Sequence, residues 1–152
     1  MFDRGFAAVG MVRTKDKANA GHVLRAAACY GVRLVAFEGA RTCIRTHVDT
    51  CKTYRHTPVI RVDALRTAIP FDTVPIAVDL VTDAESLVDF AHPARAFYIF
   101  GPEDGTLGRK HLEWCQRRVM LPTEHCMNLA AAVNVVLYDR LAKQLRRQET
   151  RP

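Results

Sequence analysis

Apolar residues come along this chain in short blocks, each closed by a polar or glycine-bearing break, in the rhythm of strands alternating with helices. The block Phe6-Ala7-Ala8-Val9-Gly10-Met11-Val12 has strand length and stops at Arg13-Thr14-Lys15-Asp16. Val23, Leu24, Ala27, Ala28 and Tyr30 then follow helical spacing as far as Gly31, a residue suited to a helix C-terminus. Arg33-Leu34-Val35-Ala36-Phe37 predicts a second strand, so the first 37 residues read as a strand–helix–strand unit and imply a parallel sheet.

The stretch from Ala40 to Ile69 is basic and rich in threonine, with one short strand candidate, Val59-Ile60-Arg61-Val62. A buried strand is expected over Pro75-Ile76-Ala77-Val78-Asp79-Leu80-Val81. The capping-box pattern Thr82-Asp83-Ala84-Glu85 predicts a helix from Ala84 to Phe90 after it. Ala96-Phe97-Tyr98-Ile99-Phe100 is a further strand, broken at Gly101. Leu107, His111, Leu112 and Cys115 fall at helical spacing. Arg118-Val119-Met120-Leu121 is strand-like and halted by Pro122. A long helix closes the chain, with Leu129, Val133, Val136, Leu137, Leu141 and Leu145 on one apolar stripe and Lys143, Arg146 and Arg147 in its last turns. The fold class is α/β, in one domain over residues 1–152.

Charge sharpens the picture. The net charge is +6, yet the stretch from Asp72 to Asp104 holds seven acids and one base, so the rest of the chain carries +12. Bases gather in Arg41, Arg45, Lys52, Arg55, Arg61 and Arg66 and again near the C-terminus, a polarity able to hold a polyanion. Five cysteines with no CxxC pair read as reduced thiols, and six histidines without metal spacing imply no metal. No apolar run reaches a membrane span and the first residues lack a secretory layout, so a cytoplasmic protein is expected.

Three segments carry candidate chemistry. Asn19-Ala20-Gly21-His22-Val23-Leu24-Arg25 sets an asparagine and a glycine at a helix entrance, with Arg25 six residues on. Asn19 suits a helix cap equally well. Phe100-Gly101-Pro102-Glu103-Asp104-Gly105-Thr106-Leu107-Gly108 leaves the end of a strand, where open α/β sheets bind ligands, though it is also ordinary turn chemistry. Leu121-Pro122-Thr123-Glu124-His125-Cys126-Met127-Asn128-Leu129 leads into the last helix, which Asn128 could cap.

In this order the three segments resemble the three motifs of the SPOUT superfamily, in its SpoU/TrmH branch of RNA ribose methyltransferases and most closely the minimal TrmL-like tRNA branch. The resemblance runs from about Asn19 to Tyr138. It implies a parallel sheet with a deep C-terminal trefoil knot near residues 98–138, a homodimer, and S-adenosyl-L-methionine held by main-chain groups of three loops. Those loops map here to Leu80, Val81 and Thr82; Gly101 and Pro102; and Leu121, Cys126 and Met127. It implies catalytic roles for Arg25, Asn19, Glu103 and Asn128, with the last three holding Arg25 and the ribose. The implied partner is RNA, tRNA first and ribosomal RNA as an alternative, gripped by Arg41, Arg45, Lys52 and Arg55. An inactive knotted RNA-binding protein is the third reading, since Cys126 stands where the family commonly has serine and His22 where a second asparagine is frequent.

Overall fold

Seven parallel strands form one sheet in the order β3-β2-β1-β6-β4-β7-β5 in the computed structural model, which describes residues 5–44 and 48–150. The strands are β1 (Phe6–Val12), β2 (Leu34–Glu38), β3 (Val59–Val62), β4 (Val74–Val78), β5 (Glu85–Ser86), β6 (Arg95–Phe100) and β7 (Arg117–Met120). Helices α1 (Lys17–Cys29), α2 (Arg109–Leu112) and α3 (Leu129–Glu149) join two 3-10 turns, Thr53–Arg55 and Leu65–Ala68.

Alternation along each strand builds two cores. Ala7, Val9 and Met11 of β1, with Tyr98 and Phe100 of β6, join the apolar faces of α1 and α3. Ala8 and Val12, with Phe97 and Ile99, join Leu65, Leu107 and Cys115 on the other face. Gly10 lets these layers close: a Cβ there would lie 2.6 Å from the Phe97 ring and 2.9 Å from Leu65. Among the described residues, α2 and the 65–68 turn lie over the second face, whereas α1 and α3 pack on each other across the first.

One expected element is absent. Residues 84–90 do not form a helix; Glu85 and Ser86 pair with β7, and a turn follows. The capping box loses to tertiary ion pairing. The Arg117 guanidinium takes both oxygens of Glu85 at 2.7 and 2.9 Å, Arg118 takes Asp83, and the Leu87 N–H donates to the Met120 carbonyl at 2.8 Å. The helix expected around residues 107–115 shrinks to the four residues of α2, and the strand expected to reach Val81 ends at Val78.

α3 is stapled to the sheet by a buried polar cluster. Arg140, 3% exposed, donates to the carbonyls of Pro93 at 2.6 Å and Ala94 at 2.9 Å. Lys143 donates to the carbonyls of Leu87 and Phe90 and pairs with Asp139. His92 lies between Tyr98 Oη at 2.6 Å and Asp139 at 2.8 Å. Burial pushes the Tyr98 phenol up to about 12, so it stays protonated and donates to Nδ1. The Nε2–H of His92 then donates to Asp139.

Candidate active site

The C-terminal ends of β4, β6 and β7 open onto a cavity of about 390 Å³ beside the start of α3, within the range of small-molecule sites. Val78, Leu80, Phe100, Leu121, Met127 and Leu129 give it apolar walls. Asp79, Glu103, Thr123, Asn19 and Asn128 supply its polar groups.

The loop after β6 bends back sharply over this cavity. A Cβ on Gly101 would stand 3.0 Å from the Leu107 nitrogen and 3.1 Å from the Thr106 carbonyl carbon, both backbone atoms that cannot rotate away. Asp79 secures the far end of the loop, accepting from the Leu107 N–H at 3.0 Å with one oxygen and from the Leu80 N–H at 2.8 Å with the other. Arg41 and Lys15 secure its middle through Asp104, with the Arg41 guanidinium at 2.7 and 3.2 Å. The Arg41 hydrogen bond, ahead of a smaller opposing desolvation, holds the Asp104 carboxyl down at about 2.

Glu103 points the other way, onto the N-terminus of α1. Its carboxylate accepts from the backbone N–H groups of Lys15 at 3.0 Å and Asp16 at 3.1 Å, and from Asn19 Nδ2 at 3.3 Å. An anion is favoured there because the entering turn leaves unpaired donors. Burial alone would raise its pKa, but these hydrogen bonds outweigh burial and hold it below the ordinary carboxylate value.

From Glu103 a chain of amides follows with a fixed polarity. A carboxylate only accepts, so Asn19 must turn Nδ2 toward it and leave Oδ1 free. Asn128 Nδ2 donates to that oxygen at 3.0 Å, and Asn128 Oδ1 accepts from the Ala131 N–H at 3.1 Å, capping α3. Asn19 is not a cap: Asp16 caps α1 by accepting from the Asn19 N–H at 3.0 Å. Three residues 25 and 84 positions apart in sequence thus form one hydrogen-bonded unit at the cavity rim.

Of the residues expected to act, the cavity takes Asn19, Leu80, Gly101, Pro102, Glu103, Leu121, Cys126, Met127 and Asn128. Val81 and Thr82 stand beyond it in a turn closed by the Ala84 N–H on the Val81 carbonyl. Arg25 is exposed on α1, about 240° around the helix and about 9 Å along it from Asn19, so within one chain the triad does not hold it. Arg41, expected to grip RNA, spends its guanidinium on Asp104 and the Arg13 carbonyl. Lys52 and Arg55 are exposed; Arg45 lies outside the described residues. Asp79 and Ala132 line the cavity without having been singled out, and Asp79 had a signal, an acid inside an apolar run. Among the described residues no group of three His, Cys, Asp or Glu side chains could hold a metal ion, and no helix is long and apolar enough to cross a membrane.

Residues 7–138 match the model of the SpoU rRNA Methylase family. The chain belongs to that family. Solved structures share its fold at low sequence identity. AviRb, a SpoU methyltransferase from Streptomyces viridochromogenes solved with AdoMet, matches with TM-score 0.79 and 18% identity over 93% of this chain and 61% of its own. The A. aeolicus TrmH/SpoU tRNA modifying enzyme gives TM-score 0.78 and 17% identity over 98% and 77%. A protein solved for 2-OH methylation of C/U34 on tRNA gives 0.76 and 21% over 94% and 98%. The chain spans about three fifths of AviRb, and no curated protein matches it in sequence.

Proposed function

We propose that this SpoU-family protein is an S-adenosyl-L-methionine-dependent RNA 2′-O-ribose methyltransferase acting on tRNA as a homodimer, with residues 98–138 threaded as a trefoil knot. The observation that carries the reading is the Glu103–Asn19–Asn128 unit on the rim of an apolar cavity at the strand ends. The insertion of β7 between β4 and β5, both earlier in the chain, supports the threading. The shared fold over 98% of the protein solved for 2-OH methylation on tRNA supports tRNA over ribosomal RNA.

The cavity suits the donor. Apolar walls accommodate an adenine, the sharp Gly101 loop offers main-chain groups at close approach, and Asp79 and Glu103 favour a cation. Bound there, the donor supplies an electrophilic methyl on a positively charged sulfur. The protein's part is alignment of the ribose oxygen with that methyl and help with one proton. Arg25 holds the 2′-hydroxyl and its neighbouring phosphate, and the proton passes to that phosphate or to water, because a guanidinium does not act as a base. Since Arg25 lies apart from its own chain's cavity, it serves the cavity of a second copy. Val135, Tyr138 and Leu145, exposed on α3, supply the apolar face for that copy.

Titration calorimetry with S-adenosyl-L-methionine, paired with light scattering, tests the reading. Saturable binding at one site per subunit of a dimer, followed by new 2′-O-methyl nucleotides in treated total tRNA, is the expected result. A folded protein that binds tRNA but not the donor would instead be a knotted RNA-binding module.

A further inference from the structure

Some cations of this molecule are held by acids and others are not. Lys15, Arg41, Arg109, Lys110, Arg117, Arg118 and Lys143 are each within 4 Å of an acid. Around the C-terminal half of α1 and the Thr53–Arg55 turn, Arg25, Arg33, Lys52 and Arg55 are in no ion pair among the described residues. A groove of about 470 Å³ runs between these two elements, floored by Ala28, Gly31 and Pro58 and flanked by Arg33, Cys51 and His56. Small residues in the groove, Arg33 and His56 along it, and Lys52 and Arg55 on the adjoining turn suit a sugar–phosphate strand.

The turn that carries Lys52 and Arg55 is fixed to α1 by buried groups. Thr53 is 1% exposed; its hydroxyl lies 3.0 Å from the Leu24 carbonyl and 2.8 Å from Asp49 Oδ1, one proton shared between two acceptors. Asp49, itself buried, also accepts from the Thr53 N–H at 2.9 Å. Thr57 reaches the Val32 carbonyl beyond α1 at 3.4 Å. Leu24 directly precedes Arg25, so the tether fixes the register of Lys52 and Arg55 against the arginine assigned to the ribose. Lys52 takes a left-handed backbone, φ 48°, to enter the turn.

We propose that the groove between the C-terminal half of α1 and the Thr53–Arg55 turn seats RNA backbone phosphates on Arg33, Lys52, Arg55 and His56, in fixed register with Arg25. Asp49 and Thr53 are its positioning residues. The proposal rests on the RNA-methyltransferase reading above and names where that RNA lies.

The test measures binding of fluorescein-labelled total tRNA by anisotropy between 50 and 300 mM KCl for the full chain and two double variants. Lys52→Gln/Arg55→Gln removes two charges from the groove; Arg109→Gln/Lys110→Gln removes two from the opposite face of the sheet. The groove variant is expected to lose at least about tenfold in affinity and to flatten its salt slope by about one to two, as for two phosphate contacts. S-adenosyl-L-methionine binding and circular dichroism stay unchanged. The opposite-face variant is expected to match the parent. Equal tRNA binding by parent and groove variant, or equal losses in both variants, overturns the groove assignment and leaves the methyltransferase reading standing. A parent chain that binds the donor but no tRNA at any salt removes tRNA as the substrate, and the groove proposal with it.

Discussion

Gly101 has little room to change. Its hydrogen faces backbone atoms of Thr106 and Leu107, so an added methyl has nowhere to go unless the loop itself shifts. Gly101→Ala is therefore expected to weaken S-adenosyl-L-methionine binding about tenfold or more while the melting temperature moves little, checked by calorimetry and thermal unfolding. Unchanged affinity would show that the donor does not depend on this turn. Asn19 and Asn128 illustrate a different constraint. Each fits a capping role from sequence, and Asn128 does cap α3, yet Asn19 leaves that task to Asp16 and bridges Glu103 to Asn128 instead. The residue type was legible; its partner 109 positions away was not.

Among the elements, α3 owes its place to the polar staple as much as to its apolar stripe. Burial lowers the His92 pKa from 6.5 to about 4, against the opposing pull of Asp139. As pH falls, the unfolded chain takes up this proton before the folded one does. Stability from His92 is thus complete above pH 6.5 and is lost as pH falls toward 4. The loss over the whole window is about 3 kcal/mol. Denaturant unfolding at pH 6.5 and pH 4.5 is expected to reveal a marked decline in the parent and a shallower one in His92→Gln. Parallel declines would place the sensitivity elsewhere. Glu103, whose pKa is also lowered, acts below this range: its stabilisation is present above the unfolded carboxylate value and lost as pH falls through its folded one.

The molecule as a whole carries the Glu103–Asn19–Asn128 unit on the cavity rim and Arg25 exposed on α1 outside that unit. A second copy would join them. Arg25→Ala is expected to cut methyl transfer at least about 100-fold with fold and donor binding nearly intact. Mixing it with Gly101→Val, dead for the separate reason of a blocked donor site, is expected to restore about a quarter of parental turnover after subunit exchange, as one working site in half of the dimers requires. No recovery in mixtures shown by mass spectrometry to contain heterodimers would place Arg25's work within its own chain.

Local order determined much of this protein. Runs of apolar residues with period two or near 3.6 specified β1, β2, β3, β4, β6, β7, α1 and α3 to within a few residues, because burial of a repeating face is a property of neighbouring positions. The three segments of the candidate site, marked by Asn19, Gly101 to Glu103 and Asn128, were legible only together, through their resemblance in order to the SPOUT motifs; singly each read as a cap or a turn. Only the tertiary structure decided the rest. Glu85 follows Arg117 into an edge strand against its own capping signal, and Arg41 turns from solvent to Asp104. Thr53, a threonine among several in an illegible stretch, becomes the buried tether of α1. In each case a charged or hydroxyl group has several possible partners in sequence. The fold selects one by bringing it within about 3 Å, where the hydrogen bond outweighs a local preference of a few tenths to one kcal/mol.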